Sequence, residues 1–196
     1  PFVHLDTRSQ DEDISTVSSD NIAGGTMAME YLVSTGVERV LIFKGFAHQS
    51  ASDRLKGARS LLSRFPSLPC RILADTNNLA DGYNNMNALI KRGDAPAPGT
   101  GIFALNDFSA MGVIKALIEN GIRVPEDVQV IGYDDIFFSE LFCVPLTTVK
   151  QPNYTMGEVA AQQLVDLVTG KTSSPIKAVF EPRLVIRDSA RAPGFL

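Results

Sequence analysis

Arg54, Asn106 and Asp134 carry the side chains of this chain best suited to hold a polyhydroxylated molecule. A carboxylate accepts hydrogen bonds, a guanidinium donates in a planar fork, and an amide does both. Neighbouring hydroxyls can therefore donate to Asp134 while accepting from Asn106 and Arg54, with the Ser50 hydroxyl alongside. A buried set of this kind discriminates strongly, because a missing ligand hydroxyl strands a desolvated partner. Each residue lies in or just after a segment that follows a short apolar run. Lys44–Arg54 follows Val40–Phe43, Asn106-Asp107 follows Ile102–Leu105, and Gly132–Asp135 follows Val128–Ile131. Ligands of open parallel sheets bind outside the carboxyl ends of the strands, so these three loops are expected at one edge.

Structural roles stand beside the chemical ones. Arg54 can pair with Asp134 or Asp135 and simply hold the loops together, and Asp134 can be a turn residue. Asn106 and Asp107 are both good helix caps. Phe137, Phe138 and Phe142 read as core rather than as a sugar platform. His48 reads as a solvent-facing loop residue and makes no metal pair with His4. Asp75 and Asp81 read as solvated. Cys70 and Cys143 lack CxxC or metal spacing and read as reduced, buried structural residues.

The elements that must position these residues repeat one grammar: short apolar strand, turn, amphipathic helix. Strands are expected at Val40–Phe43, Cys70–Leu73, Ile102–Leu105 and Val128–Ile131. Helices are expected over Ser50–Phe65, Leu79–Arg92 and from Asn106 or Asp107 to Asn120, the last with Met111, Ile114, Leu117 and Ile118 on one face. Asn21–Thr35, capped by Asp20, opens the series, and Pro152–Thr169 closes it. Leu184–Ile186 is a terminal strand. Alternation of this kind gives an α/β fold with right-handed crossovers and a parallel sheet covered on both faces.

Of the 196 residues, 44% are hydrophobic and 20% charged, and the net charge is −4, so no large basic surface is available for a phosphate backbone. No run approaches the roughly 18 apolar residues of a membrane span, and no basic-then-apolar leader opens the chain; a cytoplasmic location is expected. Phe2–Asp6 reads as a core strand beginning directly after Pro1, as in a fragment of a longer protein. Catalytic signatures are missing. Ala23-Gly24-Gly25 lies in a helical pattern rather than after a strand, Lys44-Gly45 is not a phosphate loop, and no GxSxG elbow occurs. Neither an enzyme nor a cofactor or metal is expected.

Several ordered motifs carry a resemblance. They are Val17-Ser18-Ser19-Asp20-Asn21 with Gly24-Gly25, then Arg54-Leu55-Lys56-Gly57, then Ala104-Leu105-Asn106-Asp107 with Ala110-Met111-Gly112. Gly121–Val128, Gly132-Tyr133-Asp134-Asp135, Leu146–Val149 with Gln151-Pro152, and Pro182–Val185 follow. Together they resemble the effector-binding core of lactose-repressor/galactose-repressor (LacI/GalR) regulators, from nearly the first residue to about Asp188. That resemblance implies a two-lobed fold like periplasmic sugar-binding proteins, with a sugar or related polar effector in the interlobe cleft. It also implies a homodimer and coupling to operator DNA through a helix-turn-helix headpiece that this chain does not contain. By resemblance, Arg54, Asn106 and Asp134 match effector-binding positions, with Ser50, Asp6 and Gln151 as further members.

The same resemblance implies that residues 21–146 and 180–196 form a complete C-terminal lobe, and that 1–20 and 147–179 form part of the N-terminal lobe. One departure concerns the pocket: Thr76-Asn77-Asn78 stands where many members place an aromatic residue. A solute-binding protein of a sugar transporter shares the fold and is the alternative reading. A Rossmann-like enzyme is a more distant one, since its phosphate-binding signatures are missing.

Overall fold

The computed structural model describes residues 1–7, 9, 11–45, 48–73 and 76–193. Two sheets organise them. The smaller has the order β1 (Val3–Leu5), β2 (Ser15–Ser19), β8 (Lys177–Phe180), all parallel. The larger has the order β4 (Cys70–Leu73), β3 (Arg39–Phe43), β5 (Thr100–Ala104), β6 (Val128–Asp134), β7 (Thr147–Lys150), β9 (Arg183–Val185). Only β9 in this sheet runs antiparallel, against β7.

The helices follow the strands as the periodicity predicts. α1 (Asn21–Ser34) and α2 (Gln49–Leu62) cover one face of the large sheet, and α3 (Leu79–Lys91) and α4 (Asp107–Glu119) cover the other. Alternation along each strand divides the core. Val40, Ile42, Phe103, Ile131 and Tyr133 face α1 and α2, while Leu41, Phe43, Ile102, Val128 and Val130 face α3 and α4. The short helix α5 (Phe138–Leu141) follows β6, and α6 (Asn153–Val168) packs on the small sheet around Val17, Met156 and Ala160.

Caps set the helix starts. Asp20 accepts from the Ala23 N–H at 3.0 Å, Asn78 from Asp81 at 2.9 Å, and Asn106 from Ser109 at 2.8 Å. α1 and α2 approach each other closely because Gly25 and Gly57 lie at their crossing. A Cβ on either would collide with the backbone carbonyl of Arg54 or of Ile22. That approach lets Arg54, on α2, reach under the start of α1.

Several expectations need correction. Phe2–Asp6 is not a core strand: β1 is three residues long, lies at an edge, and leaves Phe2 and Leu5 exposed. Thr147–Lys150, assigned from sequence to the smaller lobe, pairs with β6 in the large sheet, because its apolar face continues that core through Val149. Phe180, assigned to the larger lobe, pairs with Ser19 in the small sheet. The chain thus passes between the sheets near Asp20, Gln151-Pro152 and Glu181-Pro182. Cys70 and Cys143 are free, as expected, but exposed, the first on the outer strand and the second after α5. Phe142 packs against the core, whereas Phe137 and Phe138 face solvent. Asp81 is a capping residue, accepting from the Asn77 N–H and the Asn78 amide. Asp75 lies outside the described residues.

Candidate functional site

Asp6, Asn21, Arg54, Tyr133, Asp134 and Gln151 converge where the carboxyl ends of the two sheets meet. Asp6 and Asn21 follow strands of the small sheet; Asp134 and Gln151 end or follow strands of the large one. Arg54 is the hub. Its Nε donates to Asn21 Oδ1 at 2.8 Å, its Nη1 to the Leu105 carbonyl at 2.7 Å, and its Nη2 lies 3.2 Å from Asp134 Oδ1. The guanidinium carbon sits 3.8 Å from the centre of the Tyr133 ring. Arg54 itself is only 6% exposed, so its geometry is fixed from every side. Of the two carboxylates that sequence offered as its partner, Asp134 is the one it takes.

Asp134 is held at a strained backbone position, with φ +116°, and Asp135 follows with φ +52°. Gln151 Nε2 donates to Asp134 Oδ1 at 2.9 Å. Burial pushes the Asp134 carboxyl up to about 6; Arg54 and the Gln151 amide pull it down, and Asp107 and Asp6 push it up further. Asp6 also sits at positive φ, +57°. Burial raises its carboxyl as well, against the opposing pull of Arg54 and Asn21. Asp6 Oδ1 and Gln151 Oε1, which can only accept, are buried without a partner, and so is the Tyr133 hydroxyl of the same cluster, which can also donate. A buried acceptor in that condition costs free energy until a donor reaches it.

A second set of contacts holds the loop that presents Asp134. Asp107, fully buried, accepts from the Ile136 N–H at 3.0 Å, the Ser139 hydroxyl at 2.7 Å and the Thr148 hydroxyl at 2.5 Å. Gly132 leaves room for it, since a Cβ there would strike Asp107 Oδ1. Asp135 is clamped by Lys150 Nζ at 2.8 Å and Arg187 Nη2 at 2.7 Å. Burial raises the Asp135 carboxyl, but the two cations outweigh it and hold it below the usual range.

The other sequence candidates fall at the margin of this cluster. Asn106 caps α4 and donates to the Thr76 carbonyl at 3.3 Å, so its structural role is realised, and its half-buried amide keeps one N–H. Ser50 lies in the first turn of α2, half-buried, one turn before Arg54 on the same side. His48 is exposed just ahead of that helix. Sequence reasoning missed Asn21 and Tyr133. Asn21 looks like a helix start and Tyr133 like a strand residue; the nearest signal was their place in the two motifs beside Asp20 and Asp134. Among the described residues no group of three or more His, Cys, Asp or Glu is placed to hold a metal ion, and no helix is long and apolar enough to cross a membrane.

Comparison with known proteins identifies the family. Residues 29–190 match the model of the periplasmic binding protein-like domain. The HTH-type transcriptional regulator CelR of Thermobifida fusca is 35% identical over 183 residues, covering 91% of this chain and 53% of the relative. A solved complex of CelR with cellobiose superposes with a TM-score of 0.84 at 32% identity, covering 97% of this chain and 59% of that one. A LacI family regulator from Enterococcus faecium with bound ribose gives 0.86 at 29% identity, covering 100% and 72%. The chain belongs to the periplasmic binding protein-like family, and the relatives it resembles are LacI-type and HTH-type transcriptional regulators. It spans about half the length of the curated relatives it matches.

Proposed function

We propose that this domain binds a sugar or a closely related polyhydroxylated effector between its two sheets and passes the binding state to operator DNA. The observation that carries the reading is the convergence of Asp6, Arg54, Asp134 and Gln151 at the meeting of the sheets, with two buried acceptors left open. Structural relatives with cellobiose or ribose bound support a sugar over other polar metabolites. Relatives named as HTH-type regulators support a role in transcription rather than in transport. Operator contact is assigned to a helix-turn-helix headpiece outside the 196 residues, whose net charge of −4 does not suit a DNA-binding surface. The domain senses and does not catalyse, and a regulator of this kind works in the cytoplasm. Residues up to about Asp20 together with those from Gln151 to Glu181 form the N-terminal part of the cleft, and the large sheet forms the C-terminal lobe.

A thermal-shift screen of sugars on the protein and on Asp134→Ala tests this. A ligand at about 100 times its dissociation constant stabilises by roughly 2.7 kcal/mol if it binds only the folded state. At least one sugar is expected to raise the melting temperature of the parent and leave the variant unmoved. An equal shift in both places the ligand elsewhere.

The domain is further proposed to act as a homodimer through the face around α5. Phe108, Phe137, Phe138 and Leu141 expose apolar side chains there, and Asp107 ties the start of α4 to the start of α5, so the four form one patch. Phe138→Asp is expected to halve the mass in sedimentation equilibrium; an unchanged dimer would move the interface to another face.

A further inference from the structure

We infer that the open edge of β4 is a docking site for an extended segment of a partner protein, one that carries an acidic residue between two apolar ones. β4 is the outermost strand of the large sheet, three places from β6 and its Asp134, so this surface is separate from the cleft. The Val40 N–H donates to the Pro69 carbonyl at 2.8 Å. In a parallel ladder of that phase Pro69, Arg71 and Leu73 face β3, and the N–H and C=O groups of Cys70 and Ile72 point outward. Among the described residues no strand meets them. An edge of this kind accepts an added strand through its main chain.

Side-chain pockets give the edge its selectivity. The register sets Arg71 beside Leu41 and Leu73 beside Phe43, on the face that carries α3. An exposed, two-pronged ion pair of Arg71 with Asp94, 2.8 Å at each contact, divides that side of the strand. One pocket, of about 170 Å³, lies towards the start of the strand between Leu41, Pro69, Pro96 and Ala97. The other, of about 250 Å³, lies towards its end between Phe43, Leu73, Leu89 and Arg92. Same-face residues of a strand stand about 6.6 Å apart, so residues i and i+2 of an added strand come beside Arg71 and Leu73, one for each pocket.

Charge decides what stands between them and which molecule brings it. Residue i+1 points to the other face, where Arg59, exposed in the last turn of α2, lies close enough to Cys70 to act on its thiol. On the pocket side Arg39, Arg71 and Arg92 outnumber Asp94. Even with Glu38 beside Arg39, these residues keep a positive surplus in a chain of net charge −4. A second copy of Cys70–Leu73 laid on this edge would bring Arg71 and Arg59 against their own kind, which disfavours it as the occupant.

Fluorescence anisotropy of the 196-residue chain with the labelled peptide Gly-Ser-Glu-Val-Glu-Ile-Glu-Ser-Gly tests the inference. Saturable binding is expected, about tenfold weaker or more when lysine replaces each glutamate, and about fivefold weaker or more in Arg59→Glu. Ile72→Pro removes an outward N–H without touching the ladder to β3, and it is expected to abolish binding. In the peptide, methylating one alternate set of backbone nitrogens should abolish binding while methylating the other spares it, since only one set faces β4. That readout leaves the protein unaltered. No saturable binding, equal binding of the lysine peptide, or equal loss from both methylated sets overturns the inference. A dimer of the chain that Ile72→Pro dissolves gives the edge to a second copy and overturns it as well.

Discussion

Replacing Arg54 by methionine is expected to cost about 3 kcal/mol of folding stability and to abolish effector binding. Methionine preserves most of the packing on Tyr133, so the loss reports the polar contacts. The substitution strips the opposing charge from Asp134, whose carboxyl burial already disfavours as an anion, and leaves Asn21 Oδ1 and the Leu105 carbonyl without their donor. Asp134 keeps some contact with solvent, which places the cost at the lower end for breaking a buried pair. For a chain of this length, 3 kcal/mol corresponds to a fall of roughly 6–12 °C in melting temperature. Arg54→Lys should recover little, because an ammonium cannot reproduce the fork that addresses three acceptors at once. Differential scanning calorimetry with and without sugar separates the two effects. A variant that loses stability and still gains the full ligand shift would show that Arg54 holds the fold and does not serve the ligand.

Asp107→Ala is the second large effect, about 3–5 kcal/mol, although Asp107 lies outside the cleft. Its carboxylate receives Ile136 N–H, Ser139 Oγ and Thr148 Oγ1. Ser139 and Thr148 are fully buried, so alanine leaves donors that water cannot reach. Each such donor costs about 1–3 kcal/mol, with some relief as the loop relaxes. Asp107→Asn should cost about half as much or less, since the amide oxygen can keep the Ile136 N–H and Ser139 hydroxyl while its NH2 meets only the Thr148 hydroxyl, which can turn to accept. Because Ile136 lies two residues after Asp134, loosening this contact should also lower sugar affinity, by about tenfold in the asparagine variant. Urea unfolding with an unchanged m-value, together with a titration in native buffer, checks both parts. Full affinity in Asp107→Asn would mean that Asp135, clamped by Lys150 and Arg187, fixes the loop without help.

The parts of the molecule that were legible in the sequence are those whose signals are local. Cys70–Leu73 stands between two prolines and the next helix start, and its strand limits agree with the fold residue for residue. Asp20, Asn106 and the strand-loop-helix rhythm named the helix starts and the sheet edge where Arg54 and Asp134 meet. The small sheet was not legible in the same way. Ser15–Ser19 is buried at every position yet four of its five residues carry hydroxyls, so no apolar alternation marks it. Its partners come from far along the chain: Gln163 donates to Ser15 Oγ, and Lys177–Phe180 forms the neighbouring strand. The pairing of Asp135 with Arg187 is equally non-local. The cysteines and Phe137 and Phe138 were misread because an apolar neighbourhood in sequence does not say which side of an edge strand or short helix faces water. Tyr133 was hidden for the opposite reason. It is a core strand residue whose second task, supporting the guanidinium, appears only when α2 is folded over β6.

Asp134 as the acceptor for effector hydroxyls is the central claim, and its titration offers the most direct check. Its carboxyl is raised from 3.8 to about 6 in the folded protein, first by burial and against the pull of Arg54. A raised carboxylate contributes stability that is fully present below its unfolded value near 4 and is lost as pH rises through about 6. Ligand hydroxyls act in the opposite direction: they donate to the ionised form and compete with the proton. Sugar affinity measured across this range, for the protein and for Asp134→Asn, should therefore separate the two. The wild type is expected to bind with constant affinity above about pH 7 and to weaken roughly tenfold per unit below about 6, while the variant binds weakly and without that slope. A sugar affinity that is flat across the range in the wild type, or equal in the two proteins, would contradict the assignment of Asp134 to the ligand.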